Sequence, residues 1–163
     1  MTEVRVPTER LLLVTLDIDE WSDIAHGRAR DAVADYPTPG DVIVAGLLVA
    51  GDWPADEWGP LQVRRRADGL AIGGVGCKGR PDERGCVEIG YGLAESARGQ
   101  GYATEAVSGL LAWLADQGVR EVVAECDDGN TPSMAVLRRC GFAPDEGAAG
   151  VTIWKRVLSP SRP

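Results

Sequence analysis

The segment Ser96–Glu105 combines residue types that can bind an anion. It reads Ser-Ala-Arg-Gly-Gln-Gly-Tyr-Ala-Thr-Glu and lies between a strand pattern and a helical pattern. Gly99, Gly101 and the small Ala103 let the backbone approach a ligand, and the first N–H groups of a helix have no partner within it. Such a terminus, with Arg98 beside it, favours a phosphate or diphosphate. A glycine-rich turn with a solvent-exposed arginine is the purely structural alternative.

Two other glycine-rich phosphate-binding motifs do not fit the chain. The phosphate loop of nucleoside triphosphatases ends in Lys-Ser or Lys-Thr, which neither Gly73–Gly79 nor Gly99–Thr104 provides. A dinucleotide fingerprint needs a third Gly or Ala where Thr104 stands, and it needs an early βαβ unit. Nucleotide hydrolysis and hydride transfer are therefore disfavoured.

The cysteines and the histidine do not form a metal-binding pattern. Cys77, Cys86, Cys126 and Cys140 contain no C-x-x-C pair, and His26 is the only histidine. We therefore expect reduced structural thiols and no metal.

A strand and a helix must hold the glycine-rich segment in place. Cys86–Leu93 predicts a strand, and alternation puts Glu88, Gly90 and Gly92 on one of its faces. A carboxylate then lies inside a strand. Ala103–Gln117 carries apolar residues at helical spacing and predicts a long amphipathic helix.

The other elements follow from apolar periodicity, turn residues and helix-ending glycines. The remaining predicted strands are Thr8–Leu16, Leu61–Arg66, Leu70–Cys77, Val119–Cys126 and Val151–Val157. The remaining predicted helices are Asp19–Tyr36, Asp41–Ala50 and Thr131–Cys140. Asp41–Ala50 is ambiguous, because its Val-Ile-Val run also suits a buried strand.

Composition indicates a single domain over residues 1–163, with a polar tail from about residue 159. Seventeen basic and 25 acidic side chains give a net charge of −8, which disfavours nucleic acid and anionic membranes as partners. The chain has no apolar run of membrane-spanning length and no signal-peptide layout at its start, so we expect a cytoplasmic protein with no membrane partner.

Arg98-Gly-Gln-Gly-Tyr-Ala103 resembles the (Q/R)-x-x-G-x-(G/A) acyl-CoA loop of the GNAT acetyltransferase superfamily. The strand Glu88–Leu93, the helix start Ala103–Val107 and the N-x-x-S…L…G-F pattern from Asn130 to Phe142 resemble the same family. Thr8–Leu13 is similar to the opening of the branch that contains the Rim-type ribosomal-protein N-acetyltransferases.

This resemblance implies an α/β fold, with a mixed, mostly antiparallel sheet flanked by helices. Two central strands, Cys86–Leu93 and Val119–Cys126, would splay apart, and acetyl-CoA would lie between them as co-substrate. The glycine-rich loop would hold the diphosphate, and the end of the first strand would pair with pantetheine. The implied cofactor-binding residues are Tyr91, Gly92, Leu93, Arg98, Gly99, Gln100, Gly101, Tyr102, Ala103, Asn130 and Ser133.

The resemblance also implies catalytic roles for three residues. Glu88 would remove a proton from the ammonium substrate. Because a carboxylate is a weak base for an amine, it would act through water or with its basicity raised by the apolar surroundings of the strand. Facing solvent or pairing with an arginine are the structural alternatives for Glu88. The backbone N–H of Leu93 would face the thioester oxygen.

Ser133 is the third of these residues. It lies one helical turn before Leu137, at which many members of the family carry a tyrosine. The Ser133 hydroxyl would hydrogen-bond the CoA sulfur, or else satisfy backbone groups at the start of its helix. Asn130 would contact pantetheine, or else serve as the helix N-cap.

The expected activity is transfer of an acetyl group from acetyl-CoA to a primary amine by direct attack. A protein N-terminus and a small-molecule amine are both open as acceptors, and a homodimer is open as the assembly. The alternative is a catalytically silent GNAT-like domain that binds acyl-CoA as a sensor or interaction module. The five tryptophans would form a cage for a cationic amine, or else pack in the core.

Overall fold

The chain forms one twisted sheet with helices on both faces, in a computed structural model that describes residues 3–159. The predicted polar tail, apart from Ser159, lies outside these residues. The strands are β1 Arg5–Pro7, β2 Leu11–Val14, β3 Pro60–Arg65, β4 Ala71–Cys77, β5 Cys86–Leu93, β6 Glu121–Asp127, β7 Ala143–Ala148 and β8 Val151–Val157. The helices are α1 Ile18–Ala25, α2 Pro39–Ala50, α3 Tyr102–Asp116 and α4 Thr131–Arg139.

The eight strands follow the order β1-β2-β3-β4-β5-β6-β8-β7. Within this sheet β5 and β6 are parallel, and the other neighbouring pairs are antiparallel. The predicted α/β fold with a mixed, mostly antiparallel sheet is therefore confirmed.

The two parallel strands separate halfway along their length, as predicted. Their pairing runs from Cys86 opposite Glu121 to Ile89 opposite Ala124 and ends there. Beyond that point β5 continues along β4, and β6 continues along β8. A gap therefore opens between the last four residues of β5 and the end of β6.

Two apolar clusters bury the faces of the sheet. On one face α3 and α4 pack with residues such as Val87 and Ile89 of β5. On the other, α1 and α2 bury Trp21, Ala45 and Leu48 in a second cluster. Since successive residues of a strand point to opposite faces, the glycines of β4 and β5 leave space under α1 and α2.

The predicted helix Asp19–Tyr36 is too long. The structure ends α1 at Ala25, and Gly27 follows with a φ of 76°. The chain then runs beside β4, and Ala71 exchanges backbone hydrogen bonds with this segment. The second cluster thus includes Ala29, Ala32 and Val33, which reach it from irregular backbone. Their spacing in the sequence resembles that of the apolar face of a helix.

Other predicted elements differ less from the structure. The predicted strand Thr8–Leu16 contains only β2, and its partner β1, which lies before that range, was not predicted. Strand β7 was missed because Ala-Pro-Asp-Glu-Gly-Ala is exposed and has little strand propensity. The ambiguous segment Asp41–Ala50 is helical, as predicted. Thr38 and Asp41 form its capping box, and Gly51 ends it with a φ of 81°.

The four cysteines are free thiols, and three of them are buried. Burial raises the pKa of the Cys77 thiol to about 12. Within residues 3–159 no helix is long and apolar enough to cross a membrane.

Glu105 ties the start of α3 to the β1–β2 hairpin. Its carboxylate accepts hydrogen bonds from the Thr8 hydroxyl at 2.5 Å and from the backbone N–H and Nε of Arg10, each at 2.7 Å. Burial raises the pKa of Glu105, but these hydrogen bonds outweigh that effect, and the pKa lies below its usual value. The carboxylate therefore stabilises the fold in its charged form.

We predict that Glu105→Gln lowers the free energy of unfolding by about 1.5–3 kcal/mol at pH 7, the range for hydrogen bonds to a charged group. Because the pKa is lowered in the folded protein, this contribution is complete above the ordinary glutamate pKa and is lost as the pH falls through the folded value. Urea unfolding at several pH values measures both effects. The control Glu9→Gln removes an exposed charge nearby, and equal losses in the two variants at pH 7 would contradict the prediction.

Candidate active site

The end of β5 presents unpaired backbone groups to the gap. Ala94 N–H donates to Ile72, and Lys78 N–H donates to the carbonyl of Glu88, so the even-numbered residues of β5 bond to β4. Tyr91 and Leu93 therefore direct their backbone N–H groups the other way, toward the gap. Among the described strands, none pairs with this side of β5 beyond Ile89.

The glycine-rich loop leads into α3 as the sequence predicts. Gly99 and Gly101 have φ values of 75° and 81°, which residues other than glycine rarely adopt. Gly101 is the N-cap of α3 and offers no side chain to the first turn. The N–H groups of that turn thus remain available to a ligand.

A cavity of about 580 Å³ lies between this loop, the end of β5 and α4, and we call it the α4 cavity. Its lining includes all but one of the predicted cofactor-binding residues: Tyr91, Gly92, Leu93, Arg98, Gly99, Gly101, Tyr102, Ala103, Asn130 and Ser133. Arg98 and Arg139 are its charged lining residues within the described chain, so an acidic protein has a local cationic site here.

Gln100 does not line the α4 cavity. Its carbonyl accepts a hydrogen bond from Nη1 of Arg10 at 2.9 Å. The Arg10 guanidinium also lies 4.4 Å from the centre of the Tyr102 ring. Arg10 therefore holds the loop through the Gln100 carbonyl and the Tyr102 ring. The loop motif alone did not predict this contact.

Tyr91 and Ser133 meet across the α4 cavity. The Tyr91 hydroxyl lies 2.6 Å from Ser133 Oγ and 3.2 Å from the Ser133 carbonyl oxygen. Burial raises the pKa of Tyr91 to about 12, so the phenol stays protonated at neutral pH. Leu137, one turn further along α4, is buried in the core.

Asn130 is the N-cap of α4. Its side-chain oxygen accepts the Ser133 backbone N–H at 3.2 Å. This contact supports the structural interpretation of Asn130 and does not test a contact with a ligand.

Glu88 lies on the other side of the sheet from the α4 cavity. Its carboxylate accepts a hydrogen bond from Lys78 Nζ at 3.1 Å, and both side chains are about one-third exposed. The structure therefore pairs Glu88 with a lysine. Glu88 precedes Leu93 by five residues, which is roughly 16 Å along an extended strand.

A second cavity, of about 300 Å³, lies on the face covered by α1 and α2, and we call it the α2 cavity. Trp21, Tyr36 and Trp53 are among its walls, and glycines of β4 and β5 form its floor. Tyr91 and Gly92 line both cavities. The end of β5 thus separates two spaces that reach the same gap.

The described residues contain no group of three or more His, Cys, Asp or Glu side chains that could hold a metal ion. The site offers backbone donors, two arginines and hydroxyl groups.

A family profile described as "Acetyltransferase (GNAT) domain" matches residues 10–143. The chain belongs to the GNAT acetyltransferase family. This confirms the resemblance and the prediction of an N-acetyltransferase enzyme.

Individual relatives agree with this assignment. The chain is 36% identical over 166 residues to the uncharacterized N-acetyltransferase YjdG of Bacillus subtilis (strain 168), covering 93% of this chain and 96% of YjdG. The ribosomal-protein-S5-alanine acetyltransferase of Vibrio fischeri has the same fold, with a TM-score of 0.70, 16% identity and coverage of 98% and 100%. RimL, solved in complex with coenzyme A, also has this fold, with a TM-score of 0.68, 19% identity and coverage of 97% and 100%.

Several residues that line the α4 cavity were not predicted from the sequence. The α4 cavity also includes Thr104, Pro132, Ala135, Val136 and Arg139. Four of these lie on α4, with spacings of three and four residues that would have shown a common face. In the α2 cavity, the sequence predicted no ligand-binding role for Asp41, the first residue of the predicted helix Asp41–Ala50.

Proposed function

We propose that this enzyme transfers an acetyl group from acetyl-CoA to a primary amine by direct attack. One observation carries the proposal: the unpaired end of β5 lies between a cationic cavity and a mainly apolar cavity. A thioester entering from the α4 cavity and an amine entering from the α2 cavity would meet at this strand end.

The α4 cavity has the donors that acetyl-CoA needs. The first turn of α3, Arg98 and Arg139 suit the diphosphate, since helix N–H groups and guanidinium groups both favour phosphate oxygens. The outward backbone groups of Tyr91 suit an amide of pantetheine, which would extend the sheet by one short strand and place the thioester beside the Leu93 N–H. Acetyl-CoA supplies the thioester carbon that the amine attacks.

The Leu93 N–H is the proposed donor to the developing oxyanion. A preorganised backbone donor of this kind can contribute roughly 3–4 kcal/mol to transition-state stabilisation. Arg98 Nε donates to the Leu93 carbonyl at 3.3 Å, which helps to fix the orientation of this residue.

Glu88 is the proposed acceptor of the amine's proton. Its distance along β5 requires water between the carboxylate and the nitrogen. Lys78 holds the carboxylate at 3.1 Å, beside Gly90 in the floor of the α2 cavity. Proton removal would therefore occur from the same side as the acceptor.

Ser133 is the proposed donor to the leaving CoA thiolate. Tyr91 can donate its phenol proton to Ser133 Oγ, which leaves the serine O–H to point into the α4 cavity. A thiol with a pKa of about 8.5 needs only modest assistance to leave.

The experiment that tests the function measures free CoA release from acetyl-CoA with a panel of primary amines, including peptides with free N-termini. Amine-dependent release, with an acetylated product seen by mass spectrometry, supports the enzyme. A rise in melting temperature with acetyl-CoA and no release with any amine favours the silent acyl-CoA-binding alternative.

We predict that Gly101→Val weakens acetyl-CoA binding by at least about tenfold, measured by calorimetry. A branched residue at a φ of 81° strains the loop, and its Cβ would lie 3.3 Å from Arg10 Nη2. Gly118→Val is the matched control, because Gly118 has a φ of 84° at the far end of α3 with no atom near its Cβ position. Equal affinities of the two variants would remove the site assignment.

Glu88→Gln should lower turnover at neutral pH by at least about tenfold and leave acetyl-CoA affinity nearly unchanged, because the carboxylate acts on the amine. Glu83→Gln, in the exposed loop before β5, serves as the control. Wild-type turnover in Glu88→Gln would place the base elsewhere.

Ser133→Ala should reduce turnover by only about tenfold, or about 1.4 kcal/mol, because a thiolate leaves readily. Tyr91→Phe removes the partner hydroxyl and should produce a smaller loss of the same kind. The role of Ser133 fails if a crystal complex with CoA shows its hydroxyl turned away from the sulfur with no bridging water.

A further inference from the structure

The floor of the α2 cavity consists of glycine backbone. Gly74 pairs with Gly92 across β4 and β5, and Gly76 pairs with Gly90. A Cβ at Gly92 would meet no atom within 4 Å. The open space therefore lies above Gly92, directly beside the gap. The Asp41 and Lys78 side chains approach the floor at Gly74 and Gly90, and the backbone of Gly59 and Pro60 covers Gly76.

The walls of the cavity are largely apolar and aromatic. Trp21 and Tyr36 are 4% and 6% exposed, and Trp53 and Val44 are partly buried against the same cluster. Aromatic side chains held this firmly offer a fixed apolar surface. The wall therefore suits the apolar body of a compact ligand.

Asp41 brings a carboxylate to this apolar cavity. Its Oδ2 caps α2, accepting from the Thr38 N–H at 2.9 Å and from the Thr38 hydroxyl at 2.7 Å. No hydrogen bond within residues 3–159 reaches Oδ1, which lies 3.5 Å from the Cβ position of Gly74. Burial raises the pKa of Asp41 more than the Thr38 hydrogen bonds lower it, so a cation beside Oδ1 would relieve a desolvated charge.

Asp41 lies at the end of the cavity where transfer would occur. Gly74, below Oδ1, is opposite Gly92, and Leu93 is the next residue. Side-chain positions of directly opposed residues are only about 5 Å apart, so Oδ1, 3.5 Å from the Cβ position of Gly74, lies within about 9 Å of that of Gly92. Lys78 and Glu88 belong to the opposite end, four residues further along β4.

We propose that Asp41 binds the ammonium group of the acceptor above the glycine floor, and that the acceptor is a compact small-molecule amine with an apolar body and no carboxylate. The proposal rests on the proposed function and names its substrate class. A carboxylate on the acceptor is disfavoured because Lys78 is the cation of the described lining and is already paired with Glu88. The bound ammonium then loses its proton through water to Glu88, the proposed acceptor, before the nitrogen attacks.

The first experiment compares 2-phenylethylamine with phenylalanine, which differ by one carboxylate. We expect kcat/KM to be at least about tenfold higher for 2-phenylethylamine. Asp41→Asn should raise its KM by about tenfold, with a smaller change in kcat. Glu20→Gln is the matched control, because Glu20 occupies the same capping-box position in α1 and lies outside the α2 cavity.

A second variant keeps the carboxylate and its helix cap. Gly74→Ala places a methyl group in ordinary contact with Oδ1, at 3.5 Å, and should raise the KM for 2-phenylethylamine without lowering the melting temperature. If Asp41→Asn fails to fold, this variant still tests access to the carboxylate.

A binding measurement separates this proposal from the proposed function. Calorimetry of 2-phenylethylamine with the enzyme–CoA complex should show binding that both variants weaken, whether or not turnover occurs. Wild-type binding in both variants overturns the role of Asp41. Better use of phenylalanine, or of a short peptide with a free N-terminus, overturns the substrate class. Amine binding without acetylation of any amine overturns the proposed function and leaves the Asp41 site standing.

Discussion

The site depends on one interruption in the hydrogen bonding of the sheet. β5 and β6 pair through Ile89 and Ala124 and then diverge, because each strand continues with its other neighbour. Backbone N–H groups that face such a gap need water or a ligand as partner. Leu93 thus offers a donor whose direction is fixed by its hydrogen-bonded neighbours on β5. A side-chain donor would have to lose rotamer freedom to achieve the same orientation.

A ligand that binds in the gap also requires the glycine-rich loop before α3 to be well ordered. Gly99 and Gly101 turn the chain into α3 with left-handed backbone, and neither provides a side chain that could hold the turn. Arg10 and Glu105 supply this support from outside: the guanidinium holds the loop carbonyl, and the carboxylate holds the β1–β2 hairpin. The β1–β2 hairpin at one edge of the sheet therefore orders a cavity formed near its centre.

Local chemistry explains which features could be predicted from the sequence. The loop around Gly101 and the strand Cys86–Leu93 were predictable because their constraints, backbone handedness and strand alternation, act over a few residues. The partners of Glu88 and Ser133 were not, because Lys78 and Tyr91 reach them only through the pairing of distant elements. The error at Asp19–Tyr36 has the same origin: backbone contacts with Ala71, far along the chain, replaced helical hydrogen bonds.

Two carboxylates on the face covered by α1 and α2 show most directly which features the sequence could and could not predict. Glu88 was chosen because its position matches a motif, yet the fold gives it a lysine partner and places it far along the strand from Leu93. Asp41 resembles an ordinary helix-capping residue in the sequence, and one of its oxygens does cap α2. A capping carboxylate has a second oxygen, and here the absence of a side chain at Gly74 leaves room for a ligand beside it. A single residue can thus start a helix and present a negative charge to the cavity that the helix covers, because these two tasks use different atoms.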